Sequence, residues 1–188
     1  MSTMTYIIIA VVVVLVILAL ILAPIFARRQ RSGRFHDKYG TEYDHTVKTM
    51  GNEKKAQTEL NERREHVEAL NIRQLSPRER DRYLAAWNAV QVKFVDQPGQ
   101  ATVEADHLIM EVMQVRAYPV SDFEQRAADI SVQYPALVSN YRAARVIAIK
   151  NEQKQANTEE LRQAMIYYRS LFDELLKTED VVPEGKTK

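Results

Sequence analysis

Cysteine is missing from this chain altogether. Its absence excludes disulfides, thiolate nucleophiles and Cys-based metal sites, and it permits a reducing compartment. Glycine is scarce, 5 in 188 residues, and Gly40 and Gly51 stand isolated, so no phosphate-cradling glycine loop is present. A large excess of one charge is also lacking, with 26 Lys and Arg against 25 Asp and Glu. A nucleic-acid binder would carry a strongly basic face, and none is implied here. Ser76 and Ser121 lie in no Gly-x-Ser-x-Gly context and beside no His, so they read as helix caps rather than nucleophiles. No catalytic and no cofactor-binding residue is assigned, no cofactor is implied, and the chain is read as a non-enzyme.

What the chain does have is an apolar start. From Tyr6 to Ala27 there is no charged residue, and nearly every position is Ile, Val, Leu or Ala. About 20 such residues span the hydrocarbon core of a bilayer as a helix. A cleaved signal peptide is the competing reading. It would need a basic start, a shorter apolar core and a small-x-small cleavage site. Met1 to Thr5 carries no Lys or Arg, Ile21 stands where a small residue is wanted before Ala23, and Pro24 follows directly. The run is therefore read as a transmembrane anchor over 1–27, which makes membrane lipids its first partner.

A basic juxtamembrane segment, 28–34, follows with Arg28, Arg29, Arg31 and Arg34. Basic residues flanking a span stay on the cytoplasmic side, which predicts an external N-terminus and a cytoplasmic C-terminal domain. The same four arginines are candidate contacts for anionic headgroups, worth about 1 kcal/mol each near the surface. All 25 acidic residues lie beyond Arg34, so the domain is slightly acidic and the overall +1 comes from this segment.

The remainder, 35–177, mixes charged and apolar residues at short period and reads as helices separated by short breaks. Phe35, Tyr39, Tyr43, Val47 and Met50 form one face of a helix over about 35–50 that Gly51 stops. A second helix, about 52–70, carries Glu59, Glu62, Arg63, Arg64, Glu65 and Glu68. It reads as solvated, with internal ion pairs. Ser76-Pro77-Arg78-Glu79 is a capping box with proline at the first helical position, ahead of the stripe Tyr83, Trp87, Val90 and Phe94. Asp96-Gln97-Pro98-Gly99 supplies a turn, and a helix over about 101–117 follows.

Ser121-Asp122-Phe123-Glu124 reads as another capping box, Pro135 as a break or restart, and Asn157-Thr158-Glu159-Glu160 as the cap of a last helix with a strong apolar face. Residues 178–188 show no periodicity and are expected to be a disordered tail. The expected fold is all-α: one N-terminal transmembrane helix, then a compact bundle of about six or seven helices.

The sharpest chemical candidate is a pair of Glu-x-x-His spacings, Glu42 with His45 and Glu104 with His107. Di-iron bundles use that spacing because residues three apart share a helix face. The faces argue against it here: His45 lies two residues from the apolar Tyr43, and His107 two from Ile109, which turns each about 200° from its apolar stripe. No metal ligand is assigned, and these four remain the only candidates. Tyr83, Trp87 and Phe94 are read as core rather than as a ligand pocket. Phe35, Tyr39 and Tyr43 either pack on the bundle, the favoured reading, or dip into the bilayer surface. Arg116, Arg142 and Arg145 are read as ion-paired or solvated rather than as an anion site.

Tyr43-Asp44, Arg82-Tyr83 to Trp87, Phe94-Val95-Asp96-Gln97-Pro98, Ala105-Asp106, Tyr118-Pro119, Tyr141-Arg142 and Tyr168-Arg169-Ser170-Leu171-Phe172-Asp173 together resemble an uncharacterised family of bacterial single-span membrane proteins. The resemblance covers nearly the whole chain. It implies a bacterial inner-membrane protein with a helical domain, and it implies no activity. The functional expectation is a membrane-anchored interaction or scaffold module that binds a protein partner, or itself as a homo-oligomer, at the cytoplasmic membrane face. The alternatives are a di-iron-like metal- or ligand-binding bundle and a lipid-surface organiser.

Overall fold

The computed structural model describes residues 32–177 together with Leu18, Leu22 and Gln30. The apolar run read as a membrane anchor, Arg28, Arg29, Arg31 and residues 178–188 therefore lie outside the described residues, apart from Leu18 and Leu22, which are helical and exposed. Among the described residues no helix is long and apolar enough to cross a membrane, and none forms a strand. The domain is all-helical. Residues 32–39 are helical, and then come α1 (Thr41–Met50), α2 (Glu53–Ala69), α3 (Pro77–Phe94), α4 (Pro98–Val115), α5 (Phe123–Gln133), α6 (Pro135–Glu152) and α7 (Thr158–Leu175).

The helix ends follow local chemistry. The Ser76 hydroxyl accepts from the Glu79 backbone N–H while the Glu79 carboxylate accepts from the Ser76 backbone N–H. Asn157 and Glu160 make the same reciprocal pair at α7. Each satisfies two donors that a helix start leaves free. Gly51 ends α1 in the left-handed conformation, φ 67°, with its N–H on the Val47 carbonyl.

Three local expectations are corrected. The expected continuous helix 35–50 is broken at Gly40, whose φ of 51° only glycine adopts freely. Pro98 does not end a turn but opens α4 as its first residue, where a missing N–H costs nothing. The cap of α5 is Asp122, accepting from the Gln125 N–H, with no capping box at Ser121, whose hydroxyl instead meets the Asp122 carboxylate.

The main core lies between α3, α4, α5, α6 and α7. Helix α7 packs on both α4 and α6, α3 packs on α4, and α5 packs on α6. Trp87, Ile109, Met113, Ile130, Tyr141 and Phe172 fill it, with Trp87 stacked on Phe172 at 4.6 Å between ring centroids. The expected stripe Tyr83, Trp87 and Val90 is buried, and Phe94 is half-buried against the same core. A second, smaller apolar cluster stands apart: Tyr39, Tyr43 and Leu60, with Phe35 and Val47 against them. It joins residues 32–39, α1 and α2 into one hairpin, which sits against α5 and α6.

The connection 70–76 is tied down at Arg73. Its N–H donates to the Arg116 carbonyl (3.0 Å), its own carbonyl accepts from the Arg116 side chain (3.2 Å), and its guanidinium forks onto Glu79. That fork and the Ser76 bonds push the Glu79 carboxyl down to about 2.

Candidate functional site

Glu42 occupies a position on the apolar stripe of its helix, three residues after Tyr39 and one before Tyr43. Its side chain is 1% exposed. A carboxylate in that place must be paired, because burying a lone ion costs far more than one side chain can recover. The partners come from two distant helices. Arg142 of α6 forks onto both carboxylate oxygens, at 2.5 and 3.0 Å, and Arg63 of α2 donates to Oε1 at 2.9 Å. Arg63 also reaches Glu59 at 2.8 Å and the Ser131 hydroxyl of α5 at 3.5 Å. Two carboxylates and two guanidinium groups thus balance in one partly buried cluster where α1, α2, α5 and α6 meet. Paired fork geometry of this kind is the strongest arrangement an arginine makes.

The reading of the second helix as merely solvated is corrected by Arg63, which points inward. The expected i,i+4 pairs do form, Glu59 with Arg63 and Glu68 with Arg64. One turn further along the same interface, exposed His66 places Nε2 3.6 Å from the carboxylate of Asp129, which is fully buried on α5. Gln125 holds that same oxygen at 2.8 Å, the other is unpartnered, and burial raises the Asp129 pKa.

A second polar group lies inside the main core. Asp106 of α4 is buried beside Tyr168 of α7, under the influence of Arg126 of α5 and Arg145 of α6. Neither Asp106 Oδ1 nor the Tyr168 hydroxyl makes a well-formed hydrogen bond, though the two side chains lie close enough to interact. Burial raises the Asp106 pKa more than the two arginines lower it, and burial raises the Tyr168 and Tyr141 hydroxyls as well. Arg126 donates to the Tyr141 hydroxyl at 3.3 Å, and both Arg126 and Arg145 lie 5.8 Å from the ring of Phe123. Perturbed, under-satisfied buried groups are where chemistry is sought. Here they bring side chains of four helices, α4, α5, α6 and α7, together inside the core.

The four metal candidates are not brought together. Glu42 is saturated by arginines, Glu104 is held by Lys93 and Gln100, and His45 and His107 are exposed, as their positions relative to Tyr43 and Ile109 imply. Among the described residues no group of three or more His, Asp or Glu could hold a metal ion. Nor do Arg116, Arg142 and Arg145 converge on an anion site. Arg116 is buried on carbonyl groups, Arg142 is on Glu42, and Arg145 faces Glu152 at 3.6 Å. Tyr39 and Tyr43 are 2% and 4% exposed, so these rings pack inside the protein instead of presenting a surface to lipid. Arg34 is exposed on the helical segment 32–39.

Sequence reasoning missed the Glu42 cluster because its partners stand 21 and 100 residues away. The one local signal was a carboxylate on an apolar stripe, which demands a buried cation. No family model, no curated protein and no solved structure matches this chain.

Proposed function

We infer that this chain is a single-span membrane protein whose helical domain serves, at the cytoplasmic face, as an interaction module for a protein partner or for a second copy of itself. The observation that carries this reading is the uncharged run Tyr6–Ala27 followed at once by Arg28, Arg29, Arg31 and Arg34. Leu18 and Leu22, one helical turn apart and both exposed, are consistent with an apolar helix face that needs a non-aqueous neighbour. The buried Glu42 charge is engaged by Arg63 and Arg142 in holding helices together, which supports binding rather than catalysis. The exposed acidic positions Glu62, Glu65 and Glu68 of α2 offer a charged face for a partner.

Cross-linking in intact cells, followed by purification of the full-length protein and mass spectrometry with metal analysis, tests this. A single partner in fixed ratio, or a self-adduct, is expected, without stoichiometric metal. Recovery of the protein with neither adduct contradicts the interaction module. Stoichiometric iron lost on His45→Ala or His107→Ala would establish the metal-binding alternative in its place.

A further inference from the structure

We propose that residues 32–69 form a releasable arm, held to the rest of the bundle by the Glu42 ion cluster and opening about a hinge at Leu70–Asn71. Three independent features carry this.

The first is the division of the apolar core. The arm has its own cluster, Tyr39, Tyr43 and Leu60, while every buried hydrophobic of the main cluster lies at or beyond Leu75. Ala56 and Val67 are buried but belong to neither cluster.

The second is the nature of the contacts between arm and bundle. Helices α1 and α2 pack on α6 and α5, and the hydrogen bonds and ion pairs across that contact are the Arg142 fork on Glu42, the Arg63 bond to Ser131, and the His66 approach to Asp129. Glu42 is the carboxylate that both guanidinium groups of this interface share. Once Glu42 is neutralised, two partly buried guanidinium groups lose their shared counterion, and no residue of the arm contributes to the main apolar cluster.

The third is the hinge. Leu70 leaves α2 in an extended conformation, φ −74° and ψ 137°. Just downstream Ile72 packs on the main core, and Arg73 is bonded in both directions to Arg116. The chain is therefore fixed to the bundle from Ile72 onward, and rotation of the arm must be absorbed at Leu70 and Asn71, which is exposed. Opening would expose Arg63, Arg142 and Ser131 while α3–α7 keep their core. Sub-global opening of a contiguous unit is the ordinary way that a folded chain becomes locally mobile. The proposal goes beyond the membrane reading and does not rest on it, since the arm is defined by contacts within the described residues alone.

Hydrogen exchange read by mass spectrometry on the full-length protein in mild detergent tests the arm. In the wild type, amides of α1 and α2 should exchange through a smaller opening than those of α4 and α7. In Glu42→Gln, exchange in α1 and α2 should accelerate roughly tenfold to a hundredfold, with α4 and α7 changed less than about twofold. Arg142→Lys keeps the charge and loses the fork. It should give a smaller acceleration confined to the same segment, and it serves if Glu42→Gln does not fold. Exchange of α1 and α2 in step with α4 and α7 in the wild type would overturn the proposal. So would acceleration shared equally by all helices, or no acceleration in either variant.

Discussion

Replacing Phe172 by Ala should lower the stability of the helical domain by about 3–5 kcal/mol. Phe172 is fully buried on α7, and its ring stacks on Trp87 of α3 at 4.6 Å with 25° between planes. Removing the ring costs its transfer free energy, the stacking contact and the cavity that the surrounding helices cannot close. The site has little freedom to collapse. Trp87 is 1% exposed, and the Arg169 guanidinium also lies over its ring, 5.6 Å from the centroid. Phe172→Leu refills much of the volume and should cost less than half as much. Denaturant unfolding followed by tryptophan fluorescence reads both, because Trp87 is the only tryptophan in the chain. A loss below about 1 kcal/mol for Phe172→Ala would mean that α3 and α7 do not share this core.

Replacing Arg116 by Met should destabilise the domain by about 3 kcal/mol, although the side chains are similar in length. Arg116 is 2% exposed at the end of α4, and among the described residues no carboxylate pairs with it. Its guanidinium donates to the Leu175 carbonyl at 3.0 Å, the Tyr134 hydroxyl at 3.2 Å and the Arg73 carbonyl at 3.2 Å. The Leu175 carbonyl belongs to the last turn of α7, where the helix dipole is negative and free acceptors accumulate. One cation thus satisfies acceptors from three separate parts of the chain. Met recovers the desolvation of the guanidinium but leaves those acceptors in an apolar setting, at about 1–3 kcal/mol each. The second loss is the larger. Arg116→Lys keeps the charge but cannot reach three divergent acceptors, so it should fall between wild type and Met. A Met variant as stable as the wild type would show that water replaces these bonds without cost.

The helical class and most helix ends were legible because they are local. A reciprocal Ser76–Glu79 pair, a Pro77 at the first position and a Gly51 stop are each written within a few residues. The stripe Tyr83, Trp87 and Val90 is legible for the same reason: the period of a helix lies within the helix. The errors also have local causes. Pro98 follows Asp96 and Gln97, so turn chemistry and helix-start chemistry overlap, and the proline serves the start. Gly40 interrupts a stripe that continues on both sides of it, so periodicity alone bridged the break.

The candidate site was legible only in fragments. Tyr43 and Ile109 fixed the outward direction of His45 and His107, and both are exposed. Glu42 stands three residues before His45, but its place on the Tyr39–Tyr43 stripe is the informative fact. Its partner Arg142 stands 100 residues on, and no local rule connects two such positions. Asp106 lies on the buried face of α4 with Ala105 and Ile109, and its neighbours Arg126, Arg145 and Tyr168 come from three other helices. Periodicity places such a residue on a face, and only the packing of helices supplies what that face meets.

The most direct test of the account is the position of the domain relative to the membrane. The chain has no cysteine, so a single introduced thiol reports without background. Ser2→Cys and Glu65→Cys, each in the full-length protein, can be exposed to a membrane-impermeant maleimide before and after lysis of the cells. The account predicts that both proteins stay with the membrane fraction after an alkaline wash. It predicts labelling at Ser2→Cys in intact cells, and labelling at Glu65→Cys, on the exposed face of α2, only after lysis. Labelling of Glu65→Cys in intact cells, or release of the protein by the wash, would contradict a cytoplasmic domain held by a membrane span.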